Sequence, residues 1–120
     1  MSEIKSFQDL KIWQEAHALT LEIYKITQNY PREEVYGLSS QIRRAAHSIP
    51  SNIAEGMGRN STKELLYFTY NARGSLQEMI YHLILSKDLK YINEEKFKEL
   101  YKRYNGLGAG MNAFLAKLKK

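Results

Sequence analysis

Apolar residues recur at steps of three and four through four stretches of this chain, the spacing that lines one face of a helix. The organising stretch is Gly37–Arg59, where Leu38, Ile42, Ala45, Ala46, Ile49, Ile53, Ala54 and Met57 form one stripe. The stripe stays in phase across Pro50, which predicts one helix kinked at the proline. Proline there has no N–H for the Ala46 carbonyl. Ser48, Ser51 and Asn52 crowd the same turn and offer polar groups to the freed carbonyls. Gly56 and Gly58 are read as the end of the helix, where a left-handed residue is common.

The first helix is expected to begin near Ser6, with Ser6 and Asp9 in capping-box relation. Its stripe runs Leu10, Trp13, Ala16, Leu19, Ile23, Ile26, Tyr30, and Pro31 stops it. The link Pro31–Gly37 is short and acidic, with room for one helical turn. Asn60 or Ser61 caps helix three, with Glu64 completing a capping box to Ser61. It carries Leu65, Phe68, Ala72, Leu76, Met79 and Leu83 to about Leu89. Gly74, beside Ser75, reads as a point where another backbone comes close. Asn93 caps helix four, whose seam is Phe97, Leu100, Tyr104, Leu107, Met111, Phe114 and Leu118; Gly106, Gly108 and Gly110 interrupt it.

Four long amphipathic helices with short links predict an all-α, up-down-up-down four-helix bundle, one domain over residues 1–120. A second apolar edge, with Ile12 and Leu21 on helix one, Leu66 and Ile80 on helix three, and Tyr101 and Leu115 on helix four, points to self-association.

Composition narrows the function classes. The absence of cysteine excludes disulfide and thiol chemistry. The start MSEIKSFQDL lacks the basic and apolar regions of a secretory signal. No apolar run approaches the ~20 residues of a membrane span. A cytoplasmic location with no membrane partner is expected. The net charge of +5 invites a polyanionic partner. Lys96, Lys98, Lys102, Arg103, Lys117, Lys119 and Lys120 outnumber Glu94, Glu95 and Glu99 in the last quarter.

The run YGLSSQIRRAAHSIPSNIAEGMGR, with FQDLKIW and Pro31 before it and NARGSLQEM after it, resembles a family of bacterial four-helix-bundle proteins. That family includes the protein encoded by intervening sequences in 23S rRNA genes and the accessory variability determinant of diversity-generating retroelements. The resemblance implies a four-helix monomer assembled into a barrel-like homopentamer. For the retroelement protein it further implies binding of RNA or DNA and of a reverse transcriptase.

Among candidate sites, Arg43 and Arg44 stand first: two guanidiniums on one helix can clamp phosphates, with Arg59, Lys63 and Arg73 extending the patch. The competing reading is structural, with ion pairs to Glu55, Glu78 or a neighbouring subunit. Consecutive helical residues diverge by about 100°, so only one of the two is expected on a given surface. On helix four, Lys102, Arg103 and Lys117 form the basic face to reverse in a binding test. His17, His47 and His82 stand singly on three helices, and the di-iron Glu-x-x-His pattern is absent, so no metal and no cofactor is expected. RNA-cleaving HEPN bundles place four to six residues between an arginine and the histidine that follows it. Arg43 and Arg44 stand closer to His47 than that, and Arg73 is farther from His82, so no enzyme is expected. Most of the nine tyrosines read as half-buried, with hydroxyls in water. The reading that follows is a non-enzymatic oligomer that contacts structured RNA or DNA; the alternative is a protein-interaction scaffold.

Overall fold

A computed structural model describes residues 6–120, so the first half of the MSEIKSFQDL stretch lies outside the described residues. The helices are α1 (Lys11–Thr27), α2 (Leu38–Gly58), α3 (Thr62–Asp88) and α4 (Glu94–Leu118), and no strand occurs among the described residues. Each helix packs on its chain neighbours and α4 closes on α1, while the backbones of the diagonal pairs α1–α3 and α2–α4 stay more than 8 Å apart, Cα to Cα. This is the four-helix bundle the stripes predict. Its core includes Leu19, Ile23, Ile42, Ile49, Ile53, Leu76, Met79, Leu83, Leu100 and Met111, all buried and all at stripe positions within the helices.

The amino-terminal expectation is corrected. Ser6 and Asp9 do form a capping box, but it caps a 3-10 turn, Phe7–Asp9, not α1. Leu10 then takes an extended backbone (φ −80°, ψ 129°) and turns its side chain into the core, and α1 starts at Lys11. The break brings Phe7 edge-on against Trp13, with ring centroids 5.0 Å apart. At its other end α1 stops at Thr27, before Tyr30 and Pro31. The Tyr30 ring is buried and its hydroxyl donates to Ser86 Oγ of α3 at 2.7 Å.

The link contains one 3-10 turn, Arg32–Glu34. Glu34 works on both sides of it: Oε1 accepts from the Leu38 N–H at 2.9 Å, and Oε2 accepts from the Tyr91 hydroxyl at 2.8 Å. The backbone bond, then the tyrosine bond, hold its carboxyl below the usual glutamate value. One carboxylate thus caps α2 and ties it to the α3–α4 turn.

α2 runs without interruption through Pro50. The carbonyl that Pro50 leaves without an intrahelical donor, Ala46 O, accepts from the Thr20 hydroxyl of α1 at 3.2 Å. Thr20 shares that proton with Ala16 O at 2.8 Å. The neighbours expected to serve this carbonyl do something else. Asn52 Nδ2 donates to Ser48 O, and the Ser48 hydroxyl pairs with Ser75 Oγ on α3 at 2.8 Å.

Gly56 and Gly58 do not end α2 in a left-handed conformation. Gly56 is buried inside the helix, where a Cβ would lie 3.0 Å from Phe68 Cβ and 3.1 Å from Leu65 Cδ1. It is the close approach between α2 and α3. The left-handed residue is Asn60 (φ 58°), and Ser61 caps α3 by accepting from Glu64 N–H at 3.3 Å. Gly74, expected to admit a backbone, faces open space, whereas Gly108 packs under Leu76 and Gly110 under Ile12. Asn93 caps α4 as expected, accepting from Lys96 N–H at 2.7 Å. Leu115, assigned to an outer edge, is instead buried in the core.

Candidate nucleic-acid interface

The antiparallel turn between α1 and α2 sets the last residues of α1, the link and the first half of α2 around one cleft of about 870 Å³. Arg32, Arg43, Arg44 and His47 line it, together with Tyr24 and Ser40, and no aspartate or glutamate does. Arg43 is fixed before any ligand arrives. Its Nε donates to Thr27 Oγ1 at 2.7 Å, a terminal nitrogen reaches Tyr24 O at 3.4 Å, and its guanidinium lies 4.7 Å from the centre of the Tyr24 ring. Thr27 is itself oriented, its hydroxyl donating to Ile23 O at 2.7 Å. Arg44 is exposed, and neither arginine pairs with a carboxylate among the described residues.

The pairs weighed for these arginines with Glu55 and Glu78 are not made. Glu55 pairs with Arg59 at 2.8 Å, and Glu78 meets His82 Nε2 at 3.3 Å. Arg43 and Arg44 diverge on the helix, yet both line the cleft rather than only one of them, because the concave wall formed by α1 and the link receives both directions.

The other basic residues do not extend this patch. Arg59 is about 24 Å further along α2 at 1.5 Å per residue. There it bridges Glu55 and Glu64 and covers the Phe68 ring. Lys63 and Lys117 are exposed at that same far end, on α3 and α4. Arg73 is turned to α4, donating to Asn112 Oδ1 at 3.0 Å over the Tyr70 ring. Arg103 ties α4 to α1 through Glu15 at 2.9 Å. Lys102 and Arg103 line a groove whose walls also carry Glu15 and Glu99, so its field is mixed. Of all these groups, the cleft arginines are the ones gathered in a lining without acids.

Arg32, Tyr24 and His47 escaped the sequence reading as partners of Arg43. The usable signal was topological: a short link in an antiparallel pair puts the end of one helix and the start of the next at one end of the bundle.

The histidines stay apart. His17 stacks on Trp13 with ring centroids 5.0 Å apart, His47 lines the cleft, and His82 is buried on α3. Among the described residues no cluster of His, Cys, Asp or Glu is arranged to hold a metal ion. No helix among them is long and apolar enough to cross a membrane.

The family model described as 23S rRNA-intervening sequence protein matches residues 8–113. No curated protein matches the chain. Among solved structures, the fold is similar to the crystal structure of a protein of unknown function from the S23 ribosomal protein family of Bacteroides thetaiotaomicron. That similarity has a TM-score of 0.78 and 20% sequence identity, and covers 88% of this chain and 95% of that one.

Proposed function

The chain belongs to the 23S rRNA-intervening sequence protein family, and from that premise we propose that it is a non-enzymatic, oligomeric nucleic-acid-binding protein whose phosphate contacts centre on the α1–α2 cleft. The observation that carries this reading is Arg43, held in place by Thr27 and Tyr24 beside Arg32 and Arg44 in a lining without carboxylates. A cation kept away from acids retains its attraction for phosphate, and a pre-oriented guanidinium loses little entropy on binding.

The oligomer belongs to the same proposal, with α2 bent at Pro50 and five copies in the ring that the family resemblance implies. We assign self-contact to the outer face of α3. Tyr67 and Tyr81 are exposed there on either side of Gly74, whose lack of a side chain leaves the face open. Sedimentation tests it: a 14.0 kDa monomer at every concentration would remove the assembly from the proposal.

Binding is tested by titrating RNA and DNA over a salt series. Log affinity is expected to fall linearly with log salt, by about 0.7 to 0.9 per phosphate neutralised. Arg44→Glu is expected to abolish binding while leaving the fold intact, since the side chain is exposed and pairs with no carboxylate among the described residues. Arg103→Glu is a poorer probe, because it also breaks the pair with Glu15. No binding at low salt would overturn the reading and leave the protein-scaffold alternative.

A further inference from the structure

The basic cleft does not end at His47. Its lining residues Tyr24 and His47 also line a second, mainly apolar groove of about 510 Å³ on the same α1–α2 face. That groove is walled by Trp13, His17, Leu21 and Pro50. Leu21 is 59% exposed, and the Trp13 and His17 rings lie nearly parallel, 12° apart in plane. From Trp13 to Thr27 the seam runs about 20 Å along α1 at 1.5 Å per residue.

We infer that this seam takes a single-stranded nucleic acid, with phosphates at the arginine end and unpaired bases laid along Tyr24, Leu21 and the Trp13–His17 pair. This rests on the nucleic-acid reading above and names the form of the ligand. Single-strand binders join a cationic track to aromatic platforms, and the platform half is of use only to bases whose faces are free. A duplex keeps its bases stacked on one another, so it can engage the arginines but not the groove. Charge assigns the occupant: the apolar half opens directly into a cationic cleft without acids, which suits a polyanion with flat apolar faces.

Trp13 is the sole tryptophan, so the seam carries its own probe. The full chain is titrated with an oligouridylate of about 12 nucleotides, within the range that single-strand sites occupy, and with a duplex of equal length. The single strand is expected to quench Trp13 emission and to bind about tenfold more tightly than the duplex. Leu21→Ser, at an exposed position, should weaken the single strand several-fold and leave the duplex unchanged; Arg44→Glu should abolish both. Equal affinities with unchanged Trp13 emission, both lost in Arg44→Glu, would overturn the single-strand assignment and keep the nucleic-acid reading. Binding of neither ligand would overturn both. Trp13 emission that responds to protein dilution but not to oligonucleotide would show the groove covered by another copy of the chain, which also overturns the assignment.

Discussion

Thr20 and Pro50 lie on different helices, and the buried carbonyl of Ala46 connects them. A proline inside a helix costs about 3 kcal/mol, part of it for an orphaned acceptor. The Thr20 hydroxyl supplies the missing donor across the α1–α2 contact. Thr20→Val is therefore expected to lower stability by about 1 kcal/mol in the natural chain. It should do so by less in Pro50→Ala, where the restored N–H serves Ala46. A denaturation double-mutant cycle measures the difference, and equal losses in both backgrounds would disconnect the two residues. Tyr104 makes the opposite case. It is 0% exposed and its hydroxyl has no partner among the described residues. Tyr104→Phe should leave stability unchanged or raise it by up to about 1 kcal/mol, whereas Tyr30→Phe orphans Ser86 and should lower it by about 1 kcal/mol. Burial raises both tyrosines above the ordinary value of 10.0. The folded state then holds these protons more tightly than the unfolded state does, so their contribution is complete below pH 10 and is lost as pH climbs above it. Tyr104→Phe should flatten that alkaline decline in a pH series of melting temperatures.

At the scale of helices, the glycines separate by what faces them. Gly74 and Gly106 face open space within the single chain, so alanine at either should stabilise the monomer by about 1 kcal/mol through helix propensity. Gly56→Ala pushes a methyl to 3.0 Å from Phe68 Cβ, an atom tied to the α3 backbone. Its expected net effect is a loss of about 1 to 2 kcal/mol as α2 and α3 are forced apart. Thermal melts of the three variants rank them, and a stabilised Gly56→Ala would refute the close-approach role. Periodicity alone could not make this distinction, because it gives the phase of a stripe but not which neighbour presses on it. For the same reason the seam of α4 and the Asn93 cap were legible in advance, while Leu115 was misassigned. The amino-terminal break was hidden because a Ser6–Asp9 box caps a 3-10 turn with the same spacing that caps a helix. Arg43 and Arg44 could be picked from the sequence as cations. Their cleft could not, since Arg32 and Tyr24 join them only when α1 folds back on α2.

Across the whole molecule, the positive charge divides into groups paired with acids and groups that meet no carboxylate among the described residues. Arg59 and Arg103 pair with acids on their own or adjacent helices, and Lys96 bridges to Glu22 at 3.8 Å. The net charge of +5 therefore overstates the field available at any one surface, and the cleft with Arg32, Arg43 and Arg44 is the better measure of it. If each of these arginines neutralises one phosphate, a short ligand confined to one cleft should show a salt slope of about −2 to −3. In an assembly the cleft is repeated, and a ligand long enough to span two copies engages them as one event at high effective concentration. The slope for the long ligand should then be about twice that for the short one, and it should fall to the short-ligand value when the protein is diluted below its assembly range. Measuring both slopes on either side of that range separates charge from assembly. Identical slopes for both ligands at every protein concentration would mean that the clefts act alone, and that arraying them adds nothing to binding.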